Sequence, residues 1–317
     1  LLLVTGATGA IGRALVTRLV AHDASVRCLV RDARALGDLR VRVQLALGDL
    51  AEPRLPRGAL RGVDTVVHLA CARRDQREAT IEEVIVGGTA RLVAAARAAG
   101  VERFVYRSWL GAEPWAPARV LRAHAAAERI VRSSGLDATI VRPSLVIARD
   151  DRLGAMLRWC VDELGFVPLP GRGGAPCRPI WSDDVAACLA RIALASGASA
   201  TAPAGEGEPS ERRTPTDRPR TDGRDRAEVL ELCGPELLTQ RQLLAAILRA
   251  QGVRRPVVPL PWSLVRRAGA LVEALGGGEA PTLAELELLR SPSVCARGDV
   301  AVRALGVEPV PVALALS

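Results

Sequence analysis

The chain has 317 residues, 49% of them hydrophobic, enough for one large α/β unit and a smaller lobe; aromatics supply only 3%, so Leu, Val, Ala and Ile must build the core. The net charge of +8 rests on 43 basic residues, every one an arginine, spread along the chain without the aromatic interleaving of a single-strand binder; this points away from nucleic acid and towards an anionic cofactor. With no lysine and a single tyrosine, Tyr106, no Schiff base, phosphate-loop lysine or Tyr/Lys proton relay can operate.

The continuously apolar Leu1–Thr5 reads as a parallel strand buried on both faces. The turn that follows it opens a helix, with Ile11, Leu15, Leu19 and Val20 at helical spacing up to His22. Ser25–Val30, Val41–Leu47 and Asp64–Leu69 are the next strands. An Ala-rich helix runs from about Glu78 to Ala99, then come strand Arg103–Arg107, helix Ala116–Ser134 and strand Ala138–Val141. Such alternation predicts βαβ units with right-handed crossovers, an α/β fold with a Rossmann doubly wound parallel sheet. The expected organisation is a Rossmann domain over 1–144, a loop and helix extension over 145–196, a disordered insertion over 197–227, and a last strand with a mainly helical lobe over 228–317. The insertion is Pro-, Gly-, Ser- and Thr-rich with mixed charge, too polar to offset its ordering entropy. Within the lobe, Glu228–Leu232 is the strand, and Thr239–Gln251, Trp262–Leu275 and Leu283–Arg290 are helices.

Seven cysteines (Cys28, Cys71, Cys160, Cys177, Cys188, Cys233 and Cys295) form no Cys-x-x-Cys pair. The odd count and the spacing argue against a disulfide framework and against a metal site, leaving most of them as small buried hydrophobes. No apolar run approaches the roughly 18 residues of a membrane span, and Leu1–Val4 is too short for a signal peptide, so a cytoplasmic location is expected.

Thr5-Gly-Ala-Thr-Gly-Ala-Ile-Gly12 directly follows a strand and directly opens a helix. Gly6 permits the tight turn and Gly9 the approach of backbone amides to a pyrophosphate. Gly12 lets helix and strand pack closely, and the helix N-terminus faces the phosphates. Thr5, Gly6, Thr8, Gly9, Ile11 and Gly12 are therefore assigned to a dinucleotide. The second strand ends at Arg31-Asp32, with Arg34 just beyond. A guanidinium suits a 2′-phosphate, which favours NADP(H); Asp32 as a ribose acceptor would favour NAD(H) instead. Asp49 and Leu50 follow the third strand, where a carboxylate can take the adenine amino group. Leu69, Ala70 and Cys71 end the fourth strand and pass under the ribose and nicotinamide, while His68 reads as a packed core histidine.

These segments resemble the extended and atypical short-chain dehydrogenase/reductases. The glycine turn, Val26-Arg-Cys-Leu-Val-Arg-Asp32, Gly48-Asp-Leu50 and His68-Leu-Ala70 carry the likeness, joined by Arg103-Phe-Val-Tyr-Arg-Ser108, Thr139-Ile-Val-Arg-Pro-Ser144 and Asp183-Asp-Val-Ala186. Leu232-Cys-Gly-Pro-Glu236, Pro259-Leu-Pro-Trp262 and Leu305-Gly-Val-Glu-Pro309 are most similar to the branch containing the NAD(P)H-binding accessory subunit of respiratory complex I and its bacterial relatives. The resemblance adds Pro143 and Ser144 to the cofactor site and implies a catalytic Ser, then Tyr-x-x-x-Lys on the next helix. Ser108 stands at the serine position. Aligning on Ala125-Ala-Ala-Glu128 puts Val120 where the tyrosine should be and His124 where the lysine should be. The reading is a cofactor binder without the usual hydride-transfer machinery, structural or redox-sensing. Its partners would be proteins of a respiratory complex or a membrane surface, met through the Arg254-Arg255 and Arg266-Arg267 region, at the inner face of the membrane. The rival is an active reductase or epimerase using Ser108 and His124, with His124 as substitute acid or ribose ligand; a regulator-binding redox sensor is a third class.

Overall fold

The structure is a computed structural model that describes residues 1–56, 58–75, 79–149, 151–195, 227–274 and 280–316. Almost all of the segment expected as a disordered insertion lies outside the described residues.

Seven strands form one parallel sheet: Leu2–Thr5 (β1), Val26–Val30 (β2), Gln44–Leu47 (β3), Thr65–His68 (β4), Arg103–Arg107 (β5), Asp137–Pro143 (β6) and Glu228–Leu232 (β7). Their spatial order is β7-β6-β5-β4-β1-β2-β3, with Val4 beside Cys28 on one side and Val67 on the other. This is the doubly wound Rossmann arrangement. The order reverses at β1, and a crevice opens beyond the carboxyl ends of the strands there.

Period-two alternation explains why the strands are apolar throughout. Val4, Val67, Val105 and Val141 face one layer with Leu15, Val16 and Leu19 of helix Ala10–Ala21 (α1) and with Val185 and Leu189 of helix Ser182–Leu194. Leu3, Val66, Phe104, Tyr106 and Ile140 face the opposite layer, with Leu92 and Val93 of helix Gly88–Ala98 (α2) and Val120, Ala123, Ala127 and Val131 of helix Arg119–Arg132 (α3). Both faces are therefore covered. A separate cluster joins Met156, Leu157 and Cys160 of helix Arg152–Leu164 (α4) to Leu243, Leu244, Ile247 and Leu248 of helix Gln240–Ala250. A bidentate pair between half-buried Arg142 and buried Glu128 locks α3 to the sheet: Arg142 of β6 donates to both carboxylate oxygens of Glu128, at 2.8 and 2.7 Å.

Three features differ from the sequence reading. The stretch ahead of β3 is a 3-10 turn over Ala33–Val41, so the strand starts later, at Gln44. The helix α4 was not anticipated; Asp151 caps it, accepting from the Gly154 N–H at 2.7 Å, and Gly165 ends it with φ of 75°. Cys233 and Cys295 form a disulfide with Cα atoms 6.0 Å apart, against the expectation of no disulfide. They stand 62 positions apart in the sequence, a spacing that carries no pairing information; the fold brings the end of β7 to the segment before helix Val300–Ala304.

Candidate cofactor site

The glycine turn gains its shape from what lies against it. Gly6 has φ of +69°, and a side chain there would meet the Ala70 nitrogen at 2.7 Å. At Gly12 a Cβ would stand 2.1 Å from the Gly6 carbonyl oxygen, so α1 seats directly on the turn. Gly9 is different: its nearest neighbour would be 3.6 Å away, leaving room above it. No side chain caps α1 and no acidic residue occupies its first turn. Its N-terminal N–H groups thus face the crevice as an anion cradle.

Thr5 and His68 hold the edge of the crevice from behind. The Thr5 hydroxyl accepts from the Leu69 and Ala70 N–H groups, both at 3.2 Å, and lies 2.7 Å from His68 Nδ1. On the other ring edge, His68 Nε2 is 3.0 Å from the Thr89 hydroxyl, which itself donates to the Ile85 carbonyl. Thr89 must then accept from Nε2–H, and Thr5 must donate to Nδ1, which defines a neutral histidine. Burial first, then the Arg107 charge, lowers its pKa to about 3. An unfolded histidine titrates near 6.5, so stability is retained above that pH and is lost as pH falls towards 3. At pH 5 the loss is about 2 kcal/mol for this residue. Urea midpoints of wild type and His68→Gln at pH 7 and pH 5 check this: the wild type should lose more on acidification than the variant.

The crevice itself has a volume of about 510 Å³. Of the sequence-assigned residues, Gly6, Thr8, Gly9, Ile11 and Gly12 line its centre, Arg31, Asp49 and Leu50 one end, and Leu69, Ala70, Cys71 and Pro143 the other. At the first end, Arg31 lies 3.7 Å from Asp49, and Asp32 accepts from the Arg34 N–H at 2.8 Å as a cap. Asp32 is thus engaged with its own chain.

Four assigned residues are absent from the lining. Thr5 is buried as described, and the Ser144 hydroxyl is turned to the Arg178 carbonyl. Ser108 and His124 are fully buried, and neither reaches the crevice. His124 Nδ1 shares a 2.7 Å hydrogen bond with the Tyr106 hydroxyl, while its Nε2 and the Ser108 hydroxyl find no hydrogen-bond partner among the described residues. Burial, followed by the charges of Arg107 and His68, pushes His124 well below the usual histidine range. Burial likewise raises the Tyr106 hydroxyl far above the usual phenol range.

The crevice also includes side chains that the sequence reading passed over: Arg107, which lies 5.3 Å from the Trp109 ring, together with Arg73, Asp151 and Leu145–Ala148. One signal was available. Arg107 and Trp109 lie at the carboxyl end of β5, next to the switch in strand order, where such sheets present their ligand-contacting residues.

Residues 6–158 match the model of the NAD(P)H-binding family. It is 30% identical over 204 residues to NADH dehydrogenase [ubiquinone] 1 alpha subcomplex subunit 9, mitochondrial, of Arabidopsis thaliana, covering 62% of this chain and 50% of that one. It is 38% identical over 144 residues to an NAD(P)H azoreductase of Xenophilus azovorans, covering 45% of this chain and 47% of the relative. The chain thus spans about half the length of these curated relatives. The fold matches that of an NADPH-dependent quinone oxidoreductase from Escherichia coli complexed with NADPH, with a TM-score of 0.64 at 18% identity over 100% of this chain and 98% of that one. Among the described residues, no helix is long and apolar enough to cross a membrane, and no three His, Cys, Asp or Glu side chains gather as a metal site would need.

Proposed function

We propose that the crevice holds NADP(H) in preference to NAD(H), and that the cofactor serves a structural or redox-reporting role rather than ordinary Tyr/Lys-assisted hydride transfer. One observation carries the second half. The chain has no lysine, and its one tyrosine is fully buried against His124, away from the crevice. Arg31 at the rim, with Asp32 occupied as a cap, supports the 2′-phosphorylated cofactor. The likeness to a complex I subunit supports protein partners in a respiratory assembly, and the exposed Arg254, Arg255, Arg266 and Arg267 support a station at the inner membrane face. The cofactor-site assignments, Thr5 and Ser144 included, belong to this reading: those two shape the walls from behind.

The likeness to an azoreductase favours a second reading, an active NADPH-dependent reductase that recruits Ser108 and His124 after rearrangement. Turnover separates the two. Without an aligned general acid, rates fall by typically 10²–10⁴. Purified protein should therefore bind NADPH saturably yet oxidise it negligibly with aldehydes, ketones, quinones and azo dyes. Robust oxidation that His124→Ala or Ser108→Ala abolishes would install the second reading.

A further inference from the structure

Five cysteines are free, and four of them behave alike. Cys28, Cys160 and Cys188 are buried with thiols pushed up to about 12, and burial pushes Cys177 up to about 11. Cys71 departs from this set. It is half-buried at the end of β4, lines the crevice, and receives a hydrogen bond of 3.0 Å from Arg107 Nη2.

Arg107 is the more telling partner. It ends β5 and is only 8% exposed, yet it lines the same crevice. Its Nη1 donates to the Ser108 carbonyl at 3.3 Å, and its Nε is buried with no hydrogen-bond partner among the described residues. Among the described residues no carboxylate lies within ion-pair distance of it. A buried guanidinium with five donors and so few acceptors is costly unless an anion stands beside it. The group in contact that can become one is the Cys71 sulfur. Burial raises that thiol, and the charges of Arg107 and Arg73 with the Arg107 hydrogen bond outweigh it, leaving the thiol below its usual range. Tyr106 lies behind, uncharged, and Asp151 is the carboxylate that shares this part of the crevice.

We propose that Cys71 is a nucleophilic thiolate inside the cofactor crevice, a modification site for small hydroperoxides that is held ready by Arg107 and covered when the dinucleotide is bound. The covering rests on the cofactor reading above; the reactivity of the free protein does not. In the reaction the thiolate attacks one peroxide oxygen, an S–O bond forms and the O–O bond breaks. Sulfur is oxidised by two electrons to the sulfenic acid, the peroxide is reduced, and the departing hydroxide or alkoxide takes a proton from water. Arg107 stabilises the thiolate before attack. The sulfenate would mark, at the nicotinamide end, that the site stood empty under oxidising conditions.

The test uses the full chain with its disulfide intact. Iodoacetamide labelling from pH 5 to 9, and hydrogen peroxide with a sulfenate-trapping dione at pH 7, are followed by peptide mass mapping, while NADPH binding is measured separately by its fluorescence. Expected is one adduct, on Cys71, with an alkylation midpoint below the roughly 8.5 of a free cysteine. Arg107→Gln should slow labelling about tenfold at pH 7 and move the midpoint up, and Arg107→Lys should restore part of the rate. Saturating NADPH should slow both reactions at least tenfold. A wild-type midpoint at or above about 8.5, or equal labelling of the four buried cysteines, would overturn the proposal without recourse to any variant. Unchanged labelling while NADPH is demonstrably bound would overturn the covering.

Discussion

Gly12→Ala is expected to weaken NADPH binding by at least about 100-fold, or roughly 2.7 kcal/mol, and to lower the melting temperature by several degrees. The new methyl would lie 2.1 Å from the Gly6 oxygen and 2.7 Å from the Ala7 Cα, both backbone atoms that no side-chain rotation can move aside. Helix α1 would have to lift off the turn, carrying its N-terminal N–H groups away from the phosphates. Gly9→Ala is the matched control. Its Cβ meets nothing closer than 3.6 Å in the protein, so the fold should keep its melting temperature while the methyl intrudes on the ligand. Fluorescence titration and a thermal melt of both variants decide the matter. Wild-type affinity in Gly12→Ala would mean that the turn is not where the dinucleotide sits.

Arg31→Ala should cost NADPH 10- to 100-fold in affinity and leave NADH nearly unchanged, because a charge-assisted contact to the 2′-phosphate contributes about 1.5–3 kcal/mol. The side chain is 63% exposed and rests 3.7 Å from Asp49, an ion pair loose enough for a phosphate to displace. Raised salt should narrow the preference, since the contact lies at the solvent edge. Titrating both cofactors against both proteins is sufficient. Equal affinity of the wild type for NADPH and NADH, or a ratio that survives the substitution, would return the 2′ end of the site to Asp32.

The features legible in the sequence were those with local causes. The strand, glycine turn and helix at Leu2–Ala21 could be read because their spacing along the chain is itself the signal, a short apolar strand, three glycines and then helical periodicity. Strand alternation foretold the parallel sheet, which is a matter of period and connection length. Depth was harder. Alignment along α3 puts His124 at the position of a family lysine, but side-chain direction depends on how the helix rolls against the sheet. That roll buries His124 beside Tyr106. The same limit hid Arg107 and Trp109, whose importance comes from β4, β5 and the loop after β6 meeting at one end of the crevice. The Cys233–Cys295 bridge was invisible for the plainest reason, a long separation with no pattern in it. Helix α4 did carry a pattern, with Asp151 as cap, apolar Leu153, Met156, Leu157 and Cys160 at helical spacing, and Gly165 as its stop.

The two walls of the crevice come from distant stretches of chain, the Gly6–Gly12 turn on one side and Leu145–Ala148 with Asp151–Leu153 on the other, and only folding brings them together. A bound dinucleotide therefore bridges the beginning and the middle of the polypeptide and has no comparable site in the unfolded chain. Mass action then adds to the free energy of unfolding, about 2.7 kcal/mol when free cofactor stands at one hundred times its dissociation constant. The lifetime of the folded protein becomes coupled to dinucleotide supply: a cell depleted of the cofactor would hold less of the chain, through proteolysis of the unfolded fraction, with its synthesis unchanged.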